Sequence, residues 1–253
     1  MSDDDFPLRP FMPSDTMRLR DLFAQSIEEL TQDDYDEEQR AAWAVERWYA
    51  TGLMQVIAPE VYAHWESVGG LICELLRHSH RGGWNARAAA LYWPLVSGDG
   101  HEPLAIAKNC IASLKHRLKL ANEEAAALQF GLESQAILAR SSQLAWSRVQ
   151  PLLIMPHIHT AIALLAARGA TSPTLAMEAH RLNELLHWPP EQLNPPPLLD
   201  GQILQQSGLA PGPQFRAILQ TARDLQLDGE LADREAATKW LSQGNFRMHD
   251  LRD

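Results

Sequence analysis

Apolar residues recur every three or four positions along most of the chain, the spacing that turns one stripe of a helix toward a core. Leu19, Leu22, Phe23, Ile27 and Leu30 follow that rule behind Pro13-Ser14-Asp15, a helix-start signal. Asp36 is placed to cap a second helix running through Ala41, Ala42, Trp43 and Val45. The same period predicts helices over 60–79, 84–96, 103–119, 122–139, 157–168, 173–187, 213–226 and 233–243. Alternating period-2 runs bounded by turns are scarce, so the expected fold class is all-α: a multi-helix body followed by a small helix-turn-helix tail.

The punctuation between these stretches agrees with them. Asn122-Glu123-Glu124 offers a cap and two acids to a helix start, and Asp233-Arg234-Glu235-Ala236 repeats the device. Pro189-Pro190 and Pro195-Pro196-Pro197 cannot continue a helix, which predicts an extended connection over 189–199. Beyond it, Asp200 caps a short helix, Gly208 ends it, and Gly212-Pro213 opens another with proline at its first position. The expected organisation is an acidic segment 1–45, a body 46–188, the connection 189–199 and a tail 200–253.

The chain has 253 residues, of which 45% are hydrophobic and 21% charged, enough apolar material for a packed core and unlike a disordered composition. Cys73 and Cys110 cannot supply a disulfide framework, and neither sits in a C-x-x-C pair. MSDDDF is acidic where a signal peptide is basic, and no apolar run approaches the ~20 residues that span a bilayer. A cytoplasmic protein with no membrane partner is expected.

Charge is unevenly distributed. The net value is -10, and residues 1–40 alone hold twelve acids against four bases. Residues 41–122 reverse the balance, with eight bases against six acids. Overall acidity therefore leaves room for a local basic face that meets a polyanion. Lys115, Arg117 and Lys119 gather with His116 at one helix end, Lys108 lying two turns earlier, and Arg77 and Arg81 flank His78 and His80. Each cluster reads either as phosphate contact or as a solvated face that complements the negative end of a helix dipole.

Catalytic and metal motifs are sparse. His78/His80 and His157/His159 are H-x-H pairs, but positions two apart point away from each other on a helix, so no metal site is expected from them. His249-Asp250 is a bare dipeptide. No G-x-x-x-x-G-K-[ST], G-x-S-x-G or H-E-x-x-H occurs. The eight tryptophans mostly fall on apolar faces, which assigns them to the core rather than to base stacking.

Three stretches carry a resemblance: TGLMQVIAPE (Thr51 to Glu60), RLKLANEE (Arg117 to Glu124) and LNPPPLLDGQILQQSGLAPGPQFRAILQTARDLQLDGEL (Leu193 to Leu231). They resemble the helical neck, body and tail of the multidomain CCA-adding tRNA nucleotidyltransferases and poly(A) polymerases. The likeness covers about residues 46–243. It implies that this chain binds tRNA or another structured RNA without transferring nucleotides itself. The catalytic head of that family needs a Gly-Ser element and a D-x-D on strands to hold two metal ions; here Asp34-Tyr35-Asp36 has the letters but sits in an acidic helical linker. No cofactor is expected in this chain, since Mg2+ and CTP or ATP belong to the head, which a separately encoded partner would supply. On the resemblance, Lys115, Arg117, Lys119, Arg77 and Arg81 are candidate RNA contacts on the body. On the tail the candidates are Gly212, the amides of Gln214 and Phe215, and the Arg216 side chain.

Leu8 to Ala44 resembles the opening strand and first helices of a GNAT acetyltransferase. The cofactor-binding loop of that family, [QR]-x-x-G-x-[GA], matches only Gln205-Gln206-Ser207-Gly208-Leu209-Ala210, which here follows a helix rather than a strand. A divergent acetyltransferase remnant and a helical protein-interaction module are the alternative readings.

Overall fold

The computed structural model describes residues 37–79, 83–97 and 103–244. The helix predicted around Leu19, the Asp34–Asp36 triplet, Arg81 and His249-Asp250 fall outside them, as does most of the acetyltransferase-like segment. Among the described residues every regular element is a helix and no strand occurs, so the chain is all-α. Two compact units are formed. The first comprises the described residues through Glu133 together with His159–Ala176; the second comprises Ser134–Ile158 and the chain from Met177 onward.

In the first unit, α1 (Glu37–Ala50) turns Ala44, Val45 and Trp48 inward. A left-handed Gly52 leads into α2 (Leu53–Ile57), and Pro59 opens α3 (Pro59–Arg77) at the position where its missing N–H costs nothing. Helix α4 (Gly83–Val96) is apolar on every side from Ala88 onward, with Ala86, Ala88, Ala89 and Ala90 fully or almost fully buried. It packs among α3, α5 (Pro103–Leu118) and α6 (Asn122–Glu133), and its small side chains let those helices approach. Helix α5 supplies Ala107, Cys110, Ile111 and Leu114, the stripe that its periodicity predicts.

Helix α9 (Ile158–Arg168) joins this core through Leu164 and Ala167. Its last residue, Arg168, lays its guanidinium 4.1 Å from the centre of the Trp93 ring, and burial pushes its pKa down to about 10. Immediately after it, Gly169 runs so close to Ala176 that a Cβ would lie 2.8 Å from that residue's backbone. Only glycine permits the approach. Both thiols are buried, which pushes Cys73 up to about 12 and raises Cys110.

The second unit contains α7 (Gln135–Leu138), α8 (Trp146–Leu153), the main length of α10 (Pro173–Leu186), α11 (Pro190–Leu193), α12 (Gly201–Gln206), α13 (Pro213–Leu227) and α14 (Arg234–Ser242). Leu199, Ile203, Leu204, Ile218, Ala222, Leu231, Ala237 and Leu241 form its tail core. The Asp200 side chain accepts from the amides of Gln202 and Ile203, each at 2.9 Å, and Asp233 accepts from Ala236 at 2.8 Å. Both are the caps that the sequence predicts. Gly208, at φ 84, closes α12.

Three local departures from the expected pattern have physical causes. The stretch predicted as one helix over 122–139 divides after Glu133, where Ile137 N–H bonds Ser134 O in a tighter turn. Helix α8 is not predicted by periodicity because Pro151 and the buried Gln150 interrupt its apolar stripe. The proline-rich stretch 189–199 is not wholly extended. Pro190 starts a single helical turn, and the segment lies within the second unit.

Beyond the backbone bonds of that turn, the stretch is held by side chains. Gln150 donates to Leu193 O at 3.0 Å and Asn194 Oδ1 at 3.2 Å. Arg223 donates to Pro195 O and Asn194 Oδ1 at 2.7 and 2.8 Å, and Gln226 donates to Pro196 O at 2.8 Å. Prolines remove amide donors, so the carbonyls between them are bound by partners from α8 and α13.

Candidate nucleic-acid interface

Helix α5 ends in Lys115, His116, Arg117 and Leu118, and Lys115 and Arg117 are cations placed where the negative end of the dipole favours them. Its close is a Schellman-type turn: Leu120 N–H bonds Lys115 O at 3.2 Å, and Lys119 between them has φ 53. Glycine usually occupies that left-handed position. Lys119 is exposed and projects from the turn, whereas Leu120 is buried beneath it.

The candidates in this cluster differ in how far their charge is engaged. Arg117 is turned inward: Nε donates to Ile57 O at 3.2 Å, Nη1 to Ser113 Oγ and Glu60 Oε1 at 2.6 and 2.9 Å, and Nη2 to Glu60 Oε2 at 2.7 Å. This is a bidentate fork with 23% and 27% of the two side chains exposed. Partial burial alone would raise the Glu60 carboxyl, but hydrogen bonds from Arg117, its own backbone and Ser113 hold it below the ordinary value. The same pairing raises Arg117 against the burial that opposes its charge. Lys115 donates to Asn122 Oδ1 at 2.6 Å and is more open. Asn122 therefore serves Lys115, and the start of α6 is closed instead by Glu124 accepting from Ala121 N–H at 2.8 Å.

On α3, Arg77 and His78 both lean on Glu74, at 3.1 and 3.3 Å, so that acid offsets part of the second basic cluster. Arg81 lies outside the described residues. Among the described residues no three His, Cys, Asp or Glu side chains come together to hold a metal ion.

The tail candidates meet at the start of α13. Gly212 is extended and, with Pro213 and Gln214, exposed. Phe215 N–H closes onto Gly212 O at 3.0 Å, and the Phe215 ring packs against the tail core, so its contribution is to shape the turn. Gln214 folds its amide back to Ala210 O at 3.3 Å, and Arg216 is exposed one step further along the helix. Lys115, Arg117 and Lys119 belong to the first unit, and Gly212, Gln214, Phe215 and Arg216 to the second.

Sequence reasoning missed two polar centres in the second unit. Glu178, only 5% exposed, accepts from Ser141 Oγ at 2.7 Å, from Ser142 N–H and Oγ, and from Arg181. Burial alone would raise its carboxyl, but the serine bonds hold it below the ordinary value. The other centre is the Arg223, Gln150 and Asn194 network, whose only sequence signal is a run of carbonyls without neighbouring donors. Among the described residues no single helix is long and apolar enough to cross a membrane. Comparisons with protein-family models, with curated proteins and with solved structures match nothing to this chain.

Proposed function

We propose that this chain is a helical RNA-binding protein that holds tRNA or a similarly structured RNA by phosphate contacts and shape. The observation that carries the reading is the tail. The gapless run Leu193–Leu231, which resembles the tail of the CCA-adding and poly(A) polymerase family, folds as a capped helix-turn-helix that turns Gly212, Pro213, Gln214 and Arg216 outward. The Gln214 amide at the helix start and the Arg216 guanidinium beyond it are suited to a phosphate. Lys115 and Lys119 supply further contacts on the body, while Arg117 shapes that end of α5 through Glu60.

In this reading nucleotidyl transfer, with its Mg2+ and CTP or ATP, belongs to a separately encoded head that meets the same RNA. Three engaged cations imply a modest salt dependence, a slope of log K against log salt of roughly -2 to -3. Fluorescence anisotropy of labelled tRNA at several salt concentrations tests it. Binding with that slope supports the reading, and undetectable or salt-independent binding removes it.

A further inference from the structure

The second unit carries a groove of about 460 Å³ where α8 and α10 end and α11 begins. Its apolar wall is Ile154, Leu186, Trp188, Pro190, Leu193 and Pro196. Trp188 remains 38% exposed although its ring meets Trp146 at 5.8 Å between centroids, and Ile154 beside it is 45% exposed. Large apolar side chains left open around a tryptophan form a platform on which a flat ring extends an existing aromatic pair.

Two polar groups of fixed and opposite character stand in this wall. Asn194 Oδ1 faces two donors, Arg223 Nη2 and Gln150 Nε2, which identifies that atom as the oxygen and leaves the NH2 as the free end of the amide. Glu191, three residues earlier on the single turn of α11, lines the groove with an acceptor-only carboxylate. The groove therefore pairs an acceptor with a donor beside a stacking face. An anionic phosphate is disfavoured by the carboxylate, while a base bearing an exocyclic amine next to a ring nitrogen satisfies both groups.

We infer that this groove receives an unpaired adenine or cytosine of the bound RNA, stacked on Trp188, with its amine donating to Glu191 and its ring nitrogen accepting from Asn194. Uracil places a carbonyl where the amine would lie and so meets the carboxylate unfavourably. The inference rests on the RNA-binding reading and adds to it a base preference at a second place on the same unit.

Full-length protein is titrated by anisotropy with labelled A8, C8 and U8 oligoribonucleotides and with an RNA hairpin whose only unpaired bases are uracils, using wild type, Trp188→Leu, Glu191→Gln and Arg216→Glu. A8 and C8 should bind at least about fivefold tighter than U8. Trp188→Leu, checked by thermal melting for an intact fold, should weaken A8 and C8 by about tenfold and leave the hairpin unchanged. Glu191→Gln, an exposed isosteric change, should narrow the preference for A8 and C8 over U8 by at least about twofold, the Asn194 amide still opposing the N3–H of uracil. Equal binding of the three octamers, or indifference to Trp188→Leu, overturns the inference; hairpin binding that Arg216→Glu weakens still upholds the RNA reading. Absence of binding to every RNA overturns both. Binding of a proline-rich peptide that depends on Trp188, without octamer binding, overturns the inference in favour of a protein ligand.

Discussion

Arg117 and Glu60, 57 positions apart, are joined through two hydrogen bonds of 2.9 and 2.7 Å that tie the end of α5 to the start of α3. The guanidinium of a residue that reads as a phosphate ligand in sequence is engaged by a carboxylate in the fold. Arg117→Ala leaves Glu60 half-buried without its partner, which should cost about 1–3 kcal/mol of stability, read from denaturant midpoints. The salt slope of RNA binding should stay within error of wild type.

Lys119 sets stability against binding. Its φ of 53 is a backbone state in which a side chain is strained and glycine is not. Lys119→Gly should stabilise the protein by up to about 1 kcal/mol while lowering the salt slope by about one contact. A thermal melt and an anisotropy titration of the same variant separate the two effects.

Glu178 makes the fold sensitive to acid. Its carboxyl is held below the ordinary value of 4.5, so its stabilising contribution is complete above that value and is lost as pH falls through the lower, folded one. Glu60 behaves in the same sense. Denaturant midpoints measured from about pH 7 down to about pH 3 should fall for wild type, and should fall less for Glu178→Gln, which has no proton to gain.

Gly169 tests the packing between α9 and α10 within the first unit. A methyl group there meets the backbone of Ala176 at 2.8 Å, and the backbone cannot yield as a flexible side chain does. Gly169→Ala should cost about 1–3 kcal/mol, seen as a lowered melting temperature.

Much of the helical order was legible because burial follows the 3.6-residue period. Ala107, Cys110, Ile111 and Leu114 of α5 face the core as their spacing predicts, and Asp200 and Asp233 cap the helices they precede. Less was legible where polar groups decide the structure. Nothing local to Arg117 shows that Glu60 waits for it, and nothing near Glu178 points to Ser141 and Ser142, because those partners meet only once the chain has folded. The Trp188 groove escaped for a related reason. Tryptophan in an apolar stretch reads as core, whereas the prolines on either side of α11 stop the helix and leave the ring at the surface.

The RNA-binding account is tested most directly by the salt dependence of tRNA affinity in wild type and Arg216→Glu. Arg216 is exposed at the start of α13, so the charge reversal should leave the melting temperature unchanged. Affinity should fall, and the slope should become shallower by at least about one phosphate contact. An unchanged slope, or tRNA binding that is absent from both proteins at low salt, contradicts the account.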